Sequence, residues 1–84
     1  MLRITENRTA SDTVILLFEG QVANHLVNIA REVCTPLLAQ NQQLILDLAG
    51  VTFADRNGIQ FFQSLPQHQV RFTNCSPFLS EQLK

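Results

Sequence analysis

Segments typical of β-strands alternate with segments of helical periodicity along this chain. Residues 2–7 alternate apolar and polar side chains, and residues 13–19 form an apolar run that should end at Gly20 and be covered on more than one side. Further strands are predicted over 43–48 and 70–73. Strands separated by helices pair in parallel, whereas the short turn after the first strand favours antiparallel pairing. The pattern predicts an α/β fold with a mixed sheet of about four strands.

The first predicted helix follows the second strand. Apolar residues recur at three- and four-residue steps from Leu26 to Leu37, with polar residues on the other faces. Asn24 is the expected N-cap, because its side-chain oxygen can accept from an unpaired backbone N–H. Pro36 lacks a backbone donor, so we expect a kink or an irregular last turn there.

The second predicted helix has an alternative. Ile59, Phe62 and Leu65 recur at three-residue steps, which favours a helix. Asn57-Gly58 is also a strong signal for a hairpin turn between two strands. Periodicity favours the helix only slightly over the hairpin.

A third helix completes the predicted order β-β-α-β-α-β-α. Ser76 is its expected cap, Pro77 suits its first position, and Leu79 and Leu83 are its expected packed face.

Length and composition fit a single domain spanning residues 1–84. The chain is 45% hydrophobic and 15% charged, which is typical of a globular protein. Its six Lys and Arg residues are scattered and its net charge is −1, so we expect neither nucleic-acid binding nor attachment to an anionic membrane. The longest apolar run, 14–18, is too short to insert into a bilayer. We expect a cytoplasmic protein in which Cys34 and Cys75 are reduced and mostly buried.

The segment 44–59, Leu-Ile-Leu-Asp-Leu-Ala-Gly-Val-Thr-Phe-Ala-Asp-Arg-Asn-Gly-Ile, resembles the signature of STAS (anti-sigma factor antagonist) domains. That signature is an apolar strand, Asp-Leu, a short link, then Asp-Ser-Ser-Gly and an aliphatic residue. Residues 16–20 and 70–76 are similar to the family's second strand and to the strand and turn before its last helix. The resemblance implies a STAS-like fold. It also implies a non-catalytic, cytoplasmic, protein-binding module of bacterial signalling and transcription regulation.

Two positions of this signature depart from the family. In typical members a kinase that is also an anti-sigma factor phosphorylates the second serine, and the phosphate switches the affinity for that kinase. Asn57 stands at this position and Arg56 at the preceding serine. The module is therefore expected to lack the usual phosphorylation switch. Asn57 can still cap the helix, and Arg56 adds a fixed positive charge to the contact surface.

A partner-binding surface is predicted around the signature. Its residues are Asp55, Arg56, Asn57, Gly58, Ile59, Phe61 and Phe62. Because adjacent helical positions are not expected to face the core together, one of the two phenylalanines should be exposed as an apolar contact.

Catalytic chemistry has little support in the sequence. Asp47 and Asp55 are the candidates for a metal-binding or acid–base pair, but no third ligand or nucleophile accompanies them, so structural roles are favoured. His25 and His68 do not have the spacing of metal ligands. We predict no catalytic residue, no metal and no cofactor.

Three classes of function remain open at this point. The first is a signalling partner of an anti-sigma factor that is a serine kinase, or of a related switch protein. The second is an accessory subunit of a transport ATPase, because STAS-like domains also occur in lipid-transport complexes. The third is a small-ligand or nucleotide-binding domain, although no glycine-rich phosphate loop is present.

Overall fold

The computed structural model describes residues 1–83. The strands are β1 (Leu2–Ala10), β2 (Thr13–Val22), β3 (Gln43–Ala54) and β4 (Val70–Thr73). The helices are α1 (Val27–Ala39), α2 (Arg56–Ser64) and α3 (Pro77–Leu83), with a 3-10 turn at Asn24–Leu26 before α1. This order confirms the predicted β-β-α-β-α-β-α arrangement.

The four strands form one mixed sheet in the order β1-β2-β3-β4. β1 pairs antiparallel with β2, while β2 with β3 and β3 with β4 pair in parallel. The predicted sheet is therefore confirmed. The hairpin alternative is wrong, because Gly20 to Val22 of β2 pair with 51–54 of β3 and residues 56–64 are helical.

The core lies on one face of the sheet, against the helices. Alternate residues of the central strands are buried there: Val14, Leu16, Phe18, Leu44, Leu46 and Leu48. The helices contribute Ala30, Cys34, Leu37, Phe61, Phe62 and Leu79 to the same cluster. On the other face Ile15 and Leu17 remain partly exposed, so the expectation that β2 is covered on more than one side is wrong. An apolar run can thus occupy a central strand with only one face covered.

Both central strands run further than predicted. β2 continues past Gly20 to Val22, and β3 continues past Gly50 to Ala54. Two register shifts, between Leu17 and Glu19 and between Gly20 and Gln21, let the pairing continue. Gly20 has φ 107°, and a Cβ there would overlap the Met1 carbonyl oxygen. Glycine at this position therefore bends the strand without ending it.

Asn24 is not the N-cap of α1. It lies inside the 3-10 turn with φ 53°, and the N-cap of α1 is Leu26. α1 runs through Pro36, and the N–H of Gln40 donates to the carbonyls of both Pro36 (3.1 Å) and Leu37 (3.2 Å). Such a shared bond is common at helix ends, so the kink or irregular last turn expected from Pro36 stays a prediction.

The start of α3 matches the sequence-based expectation. Ser76 Oγ accepts from the N–H of Leu79 at 3.1 Å, and Pro77 is the first helical residue. Leu79 is buried and Leu83 packs against the core as a partly buried residue.

Phe62 is the central aromatic contact of the core. Its ring centroid lies 5.8 Å from that of Phe18, 5.6 Å from Phe61 and 5.7 Å from Phe72. Phe62→Ala should therefore lower the free energy of unfolding by about 3–5 kcal/mol, measured by urea denaturation. Phe78→Ala is the matched control, because that side chain is 65% exposed, and it should change stability by less than about 0.5 kcal/mol. Equal losses in the two variants would contradict this account of the core.

Candidate functional site

Asp55 caps α2 and ties it to the end of β2. Its Oδ1 accepts from the N–H of Gly58 at 2.9 Å, and its Oδ2 accepts from the N–H of Asn24 at 2.9 Å. The hydrogen bond from Gly58 lowers the pKa of the Asp55 carboxyl below its ordinary value, and the bond from Asn24 acts in the same direction against the opposing effect of burial. The carboxylate is therefore charged at neutral pH, close to the positive end of the α2 dipole.

Gly58 lets the first turn of α2 lie directly against β2. A Cβ at this position would overlap the carbonyl oxygen of Val22. The same carbonyl accepts from the N–H of Asp55 at 3.4 Å. The Gly58 position of the signature is thus a contact between two backbones, and only a residue without a side chain fits there.

The exposed tip of α2 consists of Arg56 and Asn57. These are the first two helical residues, and both side chains are exposed. The sequence had suggested that Asn57 could cap the helix. It does not, because Asp55 is the N-cap and its side chain accepts from the N–H of Gly58. Ile59 is partly buried, whereas Gly58 is buried.

Phe61 and Phe62 are both buried, with only 3% and 1% of their surfaces exposed. The expectation that one of them would be exposed is wrong, because α2 is covered on two sides. Phe62 packs onto Phe18 of the sheet, while the guanidinium of Arg31 from α1 lies 5.6 Å from the centroid of the Phe61 ring. Whether either ring affects partner binding stays a prediction, but neither offers an exposed apolar surface.

Two other phenylalanines are exposed beside the tip. Phe53 is 51% exposed at the end of β3, and Phe78 is 65% exposed on α3. Both line a small cleft of about 40 Å³, and Phe78 also lines a groove of about 420 Å³ together with Arg56 and Ile59. The sequence pattern did not indicate this pair, because simple alternation places Phe53 on the same face as Val51, which packs against the core. The register shift between Gly20 and Gln21 adds a residue to β3 at this point, and Phe53 is exposed.

Asp47, the other candidate carboxylate, lies away from the α2 tip. Asp47 lies on the open face of the sheet, where its Oδ1 accepts from the N–H of Ala49 and the side-chain amide of Asn74, both at 3.1 Å. Asp55 follows eight residues later along an extended chain, which corresponds to a separation of roughly 25 Å. The two carboxylates therefore do not form a pair. Within residues 1–83 no group of three or more His, Cys, Asp or Glu side chains could hold a metal ion.

The two cysteines carry weakly reactive thiols. Burial raises the pKa of the Cys34 thiol to about 12, and it also raises the pKa of the partly exposed Cys75. Both thiols are therefore protonated at neutral pH, and a thiol is a much weaker nucleophile than a thiolate.

Comparison with known proteins places this geometry in a known fold. No family model and no curated protein matches the chain. The unphosphorylated form of the anti-sigma factor antagonist SpoIIAA superposes with a TM-score of 0.76 at 16% sequence identity, over 94% of this chain and 79% of that chain. The chain has a STAS-like fold. The crystal structure of Mglu matches with a TM-score of 0.69 at 19% identity, over 82% of this chain but only 19% of that chain.

The STAS-like fold confirms the resemblance that the sequence suggested. At these identities the likeness establishes the fold, and the residues of the tip have to be considered from their own chemistry. Within the described residues no helix has the length and apolar composition needed to cross a membrane.

The hydrogen bonds of Asp55 predict an acid-sensitive stability. Because its pKa is lower in the folded than in the unfolded chain, its contribution is complete above the ordinary value of 3.8 and is lost as the pH falls through the folded-state pKa. The melting temperature of the wild type should therefore fall more between about pH 5 and pH 2 than that of Asp55→Asn, whose amide cannot titrate. Parallel melting curves across this range would contradict the proposed role of the carboxylate.

Proposed function

We propose that this STAS-like chain is a non-catalytic protein-binding module of the anti-sigma factor antagonist kind. The observation that carries the proposal is the α2 tip, where Asp55 and Gly58 fix the helix and Arg56 and Asn57 extend into solvent. Because hydrogen bonds already hold the backbone of this helix end, binding through its exposed side chains requires no further ordering of the backbone.

The contact surface combines one positive charge with apolar side chains. Arg56 can donate several hydrogen bonds to a carboxylate, and the Asn57 amide can both donate and accept. Phe78 and Phe53 provide the exposed aromatic area that the sequence analysis had assigned to Phe61 or Phe62. Arginine and aromatic residues are the types that most often dominate binding energy at protein interfaces.

The lack of a serine switch is a second part of the proposal. The SpoIIAA structure is that of an unphosphorylated form, which concerns that protein alone. In this chain the matching position is Asn57, whose amide cannot accept a phosphoryl group. Partner binding would then be regulated by the concentrations of the two proteins or by a change in the partner itself. A cytoplasmic location and a role in bacterial signalling belong to the same proposal and are supported by the STAS-like fold.

Binding should depend on the tip and not on the stability of the domain. Arg56→Ala/Asn57→Ala should lose at least about tenfold in affinity for the partner, because both side chains are exposed and removing them leaves the core intact. The partner is first isolated from the native host on immobilised wild-type protein, identified by mass spectrometry, and then titrated as a purified protein.

A matched variant controls for the loss of an arginine and an amide. Gln67→Ala/Arg71→Ala removes the same two types of side chain from exposed positions, one in the turn before β4 and one in β4, and should bind as the wild type does. Undiminished binding of the tip variant would reject the site. Identification of a transport ATPase instead of an anti-sigma factor would keep the site but change the pathway.

The absence of the switch can be tested on the same protein. When wild type is incubated with host extract and labelled ATP, site mapping by mass spectrometry should find no phosphate on residues 54–60, because none of these residues has a hydroxyl side chain. Asn57→Ser restores the acceptor and should become labelled if the host contains a kinase that recognises this fold. Labelling of wild type to the same extent elsewhere, with a change in partner affinity, would contradict a switch-free module.

A further inference from the structure

The free edge of β1 is the longest unpaired backbone segment of the sheet. β1 is the first strand in the sheet order and pairs only with β2 over its nine residues, whereas β4 at the other edge has four. Neither proline nor glycine occurs between residues 2 and 10. An edge of this kind presents a row of N–H and C=O groups that can pair with another strand.

The hydrogen-bond pattern identifies which groups point outward. The N–H of Gln21 donates to the carbonyl of Met1 at 2.9 Å, which marks these opposed residues as a hydrogen-bonded pair of the antiparallel ladder. Because such pairs alternate with non-hydrogen-bonded ones, Asn7 directs its backbone groups toward β2. Glu6 and Arg8 direct theirs toward the free edge, before the register shift that follows Arg8.

Glu6 and Arg8 also share one face of the sheet. Leu2 and Ile4, the earlier residues on this face, are covered: Leu2 is buried and Ile4 packs against the core. Glu6 and Arg8 lie beyond this cover and are exposed. Two neighbouring outward-facing positions of the edge therefore carry opposite charges.

We propose that β1 pairs antiparallel with β1 of a second copy, about a two-fold axis at Asn7. In this register Glu6 lies opposite the partner's Arg8, and Arg8 lies opposite the partner's Glu6. Both pairs are hydrogen-bonded pairs of the new ladder, so each exchanges two backbone bonds and adds an ion pair on the helix-covered face. The two four-stranded sheets become one continuous sheet.

Charge selects this register among the neighbouring ones. Residues that oppose each other in an antiparallel pair point their side chains to the same face of the sheet, whereas neighbours along one strand point to opposite faces. The two-fold axis must therefore pass through a residue position and not between two residues. An axis at Glu6 places two like charges opposite each other, and an axis at Thr5 places Ile4 opposite the partner's Glu6. Only the axis at Asn7 gives two complementary pairs, which is the self-complementarity that an isologous interface requires.

The proposed dimer leaves the α2 tips accessible. Residues 6–8 pair with Leu16 to Val14 of β2, whereas the tip lies at Val22, the opposite end of that strand. Each dimer would then present two tips, so a partner with two binding sites would be held more firmly than one with a single site. This consequence rests on the proposed function, but the pairing itself does not.

Reversed charges test the register directly. Sedimentation equilibrium should show that wild type dimerises over about 10 μM to 1 mM, because a small edge-to-edge interface is weak. Glu6→Arg and Arg8→Glu should each remain monomeric, since each variant places like charges opposite each other in both pairs.

An equimolar mixture of the two variants should form heterodimers, because both pairs are then complementary. Arg71→Glu, on the other edge strand, is the control and should dimerise as wild type does.

Amide exchange tests the edge independently of charge. The N–H groups of Glu6 and Arg8 should exchange about tenfold more slowly when nine-tenths of the chains are dimeric, because exchange then occurs only from the monomer. The N–H of Asn7 is already bonded to β2 and should change much less.

Two outcomes would overturn the edge proposal. One is wild-type protein that stays monomeric at about 1 mM. The other is a dimer in which the Glu6 and Arg8 amides remain unprotected, which would indicate pairing through another surface such as the open sheet face. Neither outcome bears on binding at the α2 tip, so the two proposals fail separately.

Discussion

The carboxylate of Asp55 joins two parts of the chain that are thirty-one residues apart. One oxygen is bound to the first turn of α2 and the other to the turn that follows β2. Because the two central parallel strands end at this point, the contact fixes where both crossovers leave the sheet. Gly58 permits the close approach, since any side chain there would overlap the Val22 carbonyl oxygen. Asp55 is bound to backbone groups and Gly58 lies against β2, so Arg56 and Asn57 are the residues of this turn that face solvent.

The irregular pairing of β2 and β3 brings Asp55 to this position. The two register shifts near Glu19 and Gly20 each add one residue to β3 without breaking the sheet, and β3 reaches Ala54 before α2 begins. Thr52 Oγ1 donates to the Gly20 carbonyl at 3.2 Å and helps to hold this irregular part. The same extension carries Phe53 to the surface beside α3. The polar tip and the aromatic pair are therefore products of one distortion in the central strands.

Local signals in the sequence predicted the elements whose ends depend on local chemistry. β4 was predicted at its observed bounds, and Ser76 with Pro77 identified the start of α3. Expectations that depended on distant contacts were less accurate. Asn24 was a reasonable cap by residue type, but it lies inside the 3-10 turn, where its N–H donates to Asp55 from a distant part of the chain. The strand ends were set by pairing between chain segments. Periodicity also could not show that α2 is covered on two sides, which is why both Phe61 and Phe62 are buried.

The signature divides into positions that build the fold and positions that do not. Asp55 and Gly58 make the contacts that hold α2 against the sheet, and both match the family's signature. The side chains of Arg56 and Asn57, which stand at the two serine positions of that signature, are exposed and make none of these contacts. The STAS-like fold at 16% identity to SpoIIAA is thus compatible with a different chemistry at the tip. Exchanging a hydroxyl for an amide and adding a positive charge alters what the surface can bind or accept, while the cap and the close approach of the backbones stay the same. A change of regulation at this site therefore requires no change in the fold.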